Sequence, residues 1–442
     1  MANTYIYRDL GTPTNAYKGT VSHWIKKSII GANNSEYGTF AAWLNGGSTT
    51  RTHLNFYNNT IYFYDQQNSI EIQTNRVFRD TNAWYHIVVA WDTTQSTASN
   101  RVKIYVNGVQ ETSFSTATYP SQNAVLECNT SGRRFGVGTL ANGSGVAYGF
   151  WDGSISHFHF IDGTQYAASD FGSTDSTTGE WKINTSPSVT YGNNGFFWLK
   201  DNITTTDNSP NSNTFTVGGG TLTKTEDCPS NVFATFNPLL DVNAKPTLSN
   251  GNTTMAGAAI SSAQFAGSTI CVSNGKWYFE AKVTPNSSSP YVGVIDAQST
   301  LRKNANYFVH TASGTNQSGY AVNMSGDIYH NNSNSYAANI GSISSGDILG
   351  FAIDLDSAQR TCEIYKNGAS QRSFNLDEPT SGAYMLGCCS SYNTASASVN
   401  FGNGYFGTTA VSSAGTNASG NGIFEYDVPA NFTALSTKGL NL

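Results

Sequence analysis

Short runs with an apolar residue at every second position recur along the whole chain, each bounded by Gly, Asn, Asp or Ser, and helical periodicity is hard to find. Such alternation puts one face of a pleated strand in a core and the other toward solvent, the mark of sandwiches and barrels. Val21-Ser22-His23-Trp24-Ile25 is one run. Leu54-Asn55-Phe56-Tyr57 and Ile61-Tyr62-Phe63-Tyr64 flank Asn58-Asn59-Thr60 and predict a hairpin. The stretch from Tyr85 to Trp91 is apolar at nearly every position, which predicts a central strand buried on both sides. Val102, Ile104 and Val106 alternate with Arg101, Lys103 and Tyr105, and Asn107-Gly108 supplies a tight turn after them.

The chain repeats this last unit. His86–Asp92 leads through a polar loop to Arg101–Gly108; much later Ile348–Asp354 leads to Thr361–Gly368. Both are an apolar strand ending in Asp, a loop, then a strand ending Ile-Tyr-x-Asn-Gly. One hairpin per half predicts two copies of one sandwich type rather than one large sheet. The fold class that follows is all-β, two antiparallel jelly-roll β-sandwiches in tandem. Gly218-Gly219-Gly220 opens a stretch of low strand content that runs to Lys245-Pro246, and clustered Gly and Pro mark linkers. The expected division is a first sandwich over 1–217, a linker over 218–248, a second sandwich over 249–407 and a tail over 408–442. Phe424 to Leu442 holds enough apolar residues to dock.

Composition narrows the function classes. Only 12% of the 442 residues are charged, against roughly 25% in ordinary domains, while Tyr and Phe number 24 each and Trp 8. The polar surface therefore consists mainly of amides and hydroxyls. A net charge of −6 without a Lys/Arg run argues against nucleic acid and anionic membrane as partners. No apolar run approaches the ~18 residues of a membrane span, and Met1–Tyr5 lacks the basic start of a signal peptide, so folding in a cytoplasm is expected. Cys128, Cys228, Cys271, Cys362, Cys388 and Cys389 form no CxxC pair and no metal-ligand spacing; free thiols are expected.

Catalytic patterns are scarce. A sandwich-type glycosidase needs carboxylates alternating on one strand, and no Glu-x-Asp-x-Glu string exists. Asp354-Leu-Asp356 has the spacing but begins a hairpin loop, where turn capping is the plainer role. No Gly-x-Ser-x-Gly elbow and no phosphate loop is present. His157 and His159 alternate with Phe158 and Phe160; a polar outer face explains them better than a metal site lacking a third ligand. The expectation is a protein without enzymatic activity or required cofactor. Exposed aromatics among amides and hydroxyls suit sugar faces, and rim loops commonly carry such sites. The candidate glycan- or partner-binding residues are Tyr37, Trp43, Tyr57 and Tyr64 in the first half. In the second they are Tyr307, His310, Tyr329, His330, Asn331, Asn332 and Tyr336.

Ordered motifs add a resemblance. Gly19–Lys26, Trp84–Trp91, Arg101–Gly108, Trp151–Gly163 and Ser169–Gly172 resemble a laminin-G-like or concanavalin-A-like lectin domain. Gly275–Val283, Tyr291–Val294, Gly346–Asp354 and Val399–Gly402 resemble a SPRY domain, which implies recognition through inter-strand loops. Some laminin-G-like domains hold calcium through loop oxygens, which makes Asp65, Asp92 and Asp152 candidate ligands. The pairing of the two domains, with segments like Thr206–Phe215 and Asp227–Pro238 between them, is similar to bacteriophage tail-fibre and head-decoration proteins. That resemblance implies a virion structural protein that is assembled in the host cytoplasm. Its partners would be other virion proteins and host-surface polysaccharide. A homo-oligomer is expected, with a trimer as the favoured state. A tail-associated polysaccharide-degrading enzyme and a purely architectural decoration protein are the competing readings.

Overall fold

A computed structural model describes residues 3–31, 35–47, 50–200, 205–284, 290–303, 307–309, 319–331 and 333–441. The chain divides into two compact units, Met1–Lys224 and Thr225–Leu442. Among the described residues both are built from β-strands and short 3-10 turns, without α-helix.

In the first unit an eight-stranded antiparallel sheet runs in the order Phe114–Thr118, Ile70–Val77, Thr60–Asp65, Arg51–Tyr57, Glu36–Trp43, Arg134–Val137, Tyr5–Asp9 and Thr216–Gly219. A second sheet runs Phe196–Trp198, Gly153–Asp162, Lys18–Lys27, Trp84–Asp92, Val102–Val106 and Val109–Gln110. Inward positions of the two interleave: Phe40, Phe56, Phe63 and Phe135 meet Ile25, Val89, Trp91 and Phe160 in one buried cluster. The apolar run from Tyr85 to Trp91 is buried on both faces, as its pattern requires. Ile87, Val89 and Trp91 enter this core, while Val88 and Ala90 lie under Phe171, Tyr191 and Phe197 on the other side.

The predicted hairpin over 54–64 forms, with Asn58 and Asn59 at φ 51° and 66° in its turn. Those positive values match the twist of the flanking strands, and Asn tolerates them. Asn59 does more: its Oδ1 accepts from the buried Lys27 ammonium at 3.0 Å. Burial lowers the Lys27 pKa to about 8.

The second unit repeats the plan. One sheet runs Thr247–Ser249, Thr254–Ala256, Ser396–Asn400, Lys276–Thr284, Ile348–Asp354, Thr361–Lys366 and Ala369–Asn375. The other runs Gln264–Ala266, Tyr384–Ser391, Tyr291–Asp296, Gly319–Val322, Ile328–His330 and Ser333–Ala337. Phe279 stacks on Phe351 at 4.7 Å within the core between them.

Three segments differ from the expected division. Thr216–Gly219 is the last strand of the first unit, paired with Tyr5–Tyr7, although its glycines suggest a linker. Residues 226–248 belong to the second unit, where Phe233, Ala234 and Phe236 are buried; alternation over only a few positions beside Pro hides them in sequence. The tail folds back on its own unit. Thr433–Ala434 pairs in parallel with Trp277–Tyr278, and Phe424, Val428 and Ala434 cover the sheet's outer face.

Candidate functional site

The outer face of the eight-stranded sheet carries the most suggestive array. Asn55 stands opposite Tyr62, His53 opposite Tyr64, and Tyr57 follows Asn55 by two, so all five share the face away from Phe56 and Phe63. Tyr62 lies 5.8 Å from Tyr64 and 6.2 Å from Tyr57. The three rings are partly exposed. Carboxylates border them: Glu36 stands opposite Tyr57, and Glu71 opposite Tyr64. Arg51 lies over the Tyr64 ring at 5.6 Å and donates to Gln66 at 2.6 Å. The Gln73 amide donates to the Thr60 hydroxyl at 2.9 Å.

A wall closes one side of this shelf. The hairpin Leu140–Ala141 with Ala147–Tyr148 packs over Arg51–Tyr57, and the Tyr148 hydroxyl donates to Glu36 at 3.0 Å. Burial, reinforced by Glu36, pushes the Tyr148 phenol up to about 12. Burial and then Glu71 likewise raise Tyr62. Tyr148 and Tyr62 therefore stay protonated donors at neutral pH. His53 is buried, and desolvation helped by Arg51 lowers its pKa to about 3, so it stays neutral. Asn55 is fully buried with neither amide atom hydrogen-bonded among the described residues.

The sequence candidates divide between the two faces. Tyr57 and Tyr64 are on the shelf. Tyr62, Glu36, Glu71 and Gln73 join them and were not singled out; Tyr62 was signalled by its spacing of two from Tyr64. Trp43 is not a stacking surface. Its ring is 1% exposed and its indole N–H donates to the Gly145 carbonyl at 3.1 Å. Tyr37 stands opposite Phe56, hence on the sheet's other face.

In the second unit Tyr329 and His330 lie in a strand and Tyr336 in the next, rather than in loops. Alternation sends neighbours to opposite sides. Tyr329 joins Tyr291, which stacks on Tyr307 at 3.9 Å, with Tyr392 a further 4.8 Å from Tyr307. His330 packs inward on Tyr320 at 4.0 Å, faces Asp377 at 3.3 Å, and touches Tyr336. Burial lowers its pKa, opposed by the Gly319 carbonyl and Asp377. Asn331 is a turn residue at φ 49° beside His330. His310 and Asn332 lie outside the described residues.

The other candidate groups have structural partners. His159 is buried against Phe197 at 3.9 Å and bonded to the Tyr191 hydroxyl at 2.9 Å; His157 sits in a bulge at φ 46°, bonded to Ser156. Neither forms the polar outer face expected, because residues 166–191 cover that side of the sheet. Asp65 accepts from Thr52, Asn68 and the Glu127 amide, and Asp92 from Lys18 and Thr94. Asp152 is largely buried, which raises its pKa. Asp354 pairs with Lys276 at 2.7 Å and caps the turn through the Asp356 and Ser357 amides. Among the described residues no three His, Cys, Asp or Glu side chains gather as a metal site.

Both units are thus antiparallel sandwiches in which the described histidines are buried and the strand-end acids Asp92 and Asp354 cap turns. Residues 276–404 match the family model of the SPRY domain. Among solved structures the chain is similar to the SPRY domain of human HERC1 (16% identity, 37% of this chain, 96% of that one, TM-score 0.27). It is similar to a SAP-like pentraxin from Limulus polyphemus (13%, 45% and 90%, TM-score 0.30). It is also similar to domains LG4-5 of the mouse laminin alpha1 chain (8%, 98% and 86%, TM-score 0.28). No curated protein matches the chain. The family match thus lies in the second unit, and both units are antiparallel β-sandwiches.

Proposed function

We propose that this chain is a non-catalytic glycan-binding structural protein of a bacteriophage particle, and that it holds a neutral saccharide on the outer face of its first sandwich. The observation that carries the binding reading is the Tyr57, Tyr62 and Tyr64 shelf, three neighbouring rings bordered by Glu36, Glu71 and Gln73. Phenol faces match the C–H faces of a sugar, and carboxylates and amides take its hydroxyls. The arrangement favours holding over cutting. Glu36 and Glu71 lie on strands three ladder steps apart, about 14 Å between backbones, against the roughly 5–10 Å that paired-carboxylate hydrolysis uses.

The particle reading rests on the pairing of the two domains and on the low charge of the surface. It carries with it other virion proteins as partners, a homo-oligomeric and specifically trimeric state, and binding without a bound cation. A glycan array with the full chain tests the binding. Neutral glycans are expected to bind, and Tyr62→Ala and Tyr64→Ala each to lose about tenfold, the worth of one stacked ring. The melting temperature and the response to EDTA should not change. Variants that bind as the parent does would end the shelf assignment. Absence of the chain from purified particles by mass spectrometry would end the virion one.

A further inference from the structure

The tyrosine shelf does not end at its rings, because strand pairing carries the same outward face across two more strands. Tyr62 stands opposite Gln73, and Gln73 opposite Thr116; Tyr64 stands opposite Glu71, and Glu71 opposite Thr118. Directly opposed residues share a face. Two rows therefore run at right angles to the strands, each a phenol, then an amide or carboxylate, then a hydroxyl. Glu71 and Thr118 are exposed, and Tyr62, Tyr64, Gln73 and Thr116 are half-buried, so every member of both rows presents surface to solvent. The rows are closed at one end. Over Glu36–Trp43 stands the hairpin of Leu140–Ala141 with Ala147–Tyr148, with the Gly38 amide donating to the Gly149 carbonyl at 2.8 Å and the Tyr148 hydroxyl to Glu36. The other end is open, since Phe114–Thr118 is the last strand of the sheet. From Arg51–Tyr57, at the foot of the wall, to that edge is three ladder steps, about 14 Å.

We infer, on the reading of the shelf as a saccharide site, that it holds the end of a linear neutral oligosaccharide that crosses the strands. The terminal ring lies against the Tyr148–Glu36 wall and the next on Tyr62 and Tyr64. The following rings turn their hydroxyls to Gln73, Glu71, Thr116 and Thr118 before the chain leaves over the open edge. One sugar ring covers one phenol, so a single ring would leave most of each row unused. Carboxylate and amide oxygens accept sugar hydroxyls, and an uncharged chain meets no opposing charge at Glu71. The direction of the rows also separates a glycan from an extended peptide, which would pair along the edge strand rather than across the sheet.

Titration calorimetry of the full chain with cellobiose, cellotetraose and cellohexaose, and with maltose, maltotetraose and maltohexaose, is the test. In one series the tetraose is expected to bind at least tenfold more tightly than the biose, with little further gain for the hexaose, and Tyr62→Ala to weaken every member. Thr116→Val with Thr118→Val, on an edge strand that accepts valine, should bring the tetraose within threefold of the biose. Reducing the tetraose to its alditol, or capping its other end as a benzylidene acetal, should cost tenfold in one case and little in the other, because only one end meets the wall. Equal loss from both, or from neither, would overturn the placing of the chain end. Equal affinity for biose and tetraose, with Tyr62→Ala still weakening both, would overturn the crossing and leave the shelf standing. No binding in either series, or binding that Tyr62→Ala leaves unchanged, would overturn the shelf itself.

Discussion

Glu280 is a carboxyl group with no exposed surface, buried beneath the C-terminal segment. Its two oxygens accept from the amides of Glu425 and Tyr426 at 2.9 Å each, and the Tyr278 hydroxyl approaches at 3.3 Å. Burial outweighs these bonds and raises its pKa from 4.5 to about 7. The folded chain therefore binds a proton that the unfolded chain has released between about 4.5 and 7, and stability falls as pH rises through that window. A gap of that size corresponds to about 3 kcal/mol. Thermal melts from pH 4 to 8 should show the decline, and Glu280→Gln should flatten it; an unchanged slope in the variant would assign the decline to other groups. Little in the sequence marks this residue. A lone acid in Lys276-Trp-Tyr-Phe-Glu280 lacks the paired spacing that signals chemistry, and its partners lie about 145 residues away. The placing of Tyr57 and Tyr64 in one hairpin, by contrast, was legible because it is set by strand neighbours a few positions off. Trp43 was misread because the hairpin that buries it comes from residues 140–148.

The repeated hairpin is the element the sequence displayed most clearly. Asn107 and Gly108 have φ of 48° and 81°, Asn367 and Gly368 of 50° and 79°. Each asparagine Oδ1 accepts from an amide in the first residues of the paired strand, His86 at 2.8 Å and Ile348 at 2.9 Å. Each preceding strand ends in an Asp held by a lysine across the ladder, Lys18 with Asp92 and Lys276 with Asp354. Turn chemistry is local, so the pattern survives in both halves. What covers the turns is not local: a Cβ on Gly108 would overlap the ring of Trp181, and one on Gly368 the ring of Tyr426. Gly108→Val and Gly368→Val should each cost about 2 kcal/mol or more in urea unfolding, from a left-handed backbone and a displaced ring. A loss under 0.5 kcal/mol would show that the turns and rings yield freely. The histidines 157 and 159 misled for the same reason as the turns' covers, since alternation reports a face but not what packs on it.

At the scale of the chain, the two units and their all-β class were legible, and the place where one gives way to the other was not. Gly-rich Thr216–Gly219 sits in a sheet, and Pro-flanked Phe233–Phe236 in a core. Expression of 1–224 and 225–442 should therefore give two cooperatively melting pieces. A second piece beginning at 249 loses Phe233, Ala234 and Phe236 and should melt at least 10 °C lower or aggregate. Equal stability of the two second-unit pieces would return 226–248 to the status of a linker. The paired turns bear on how long such a chain endures. An asparagine before glycine is the dipeptide most open to succinimide closure, in which the next backbone nitrogen attacks the side-chain amide carbon. In both hairpins that amide is tethered across the turn and the glycine lies beneath an aromatic ring. Ring closure there must then wait for the hairpin to open, so the deamidation rates of Asn107 and Asn367, followed site by site, become a readout of local unfolding, whereas an uncovered pair such as Asn250-Gly251 reports none.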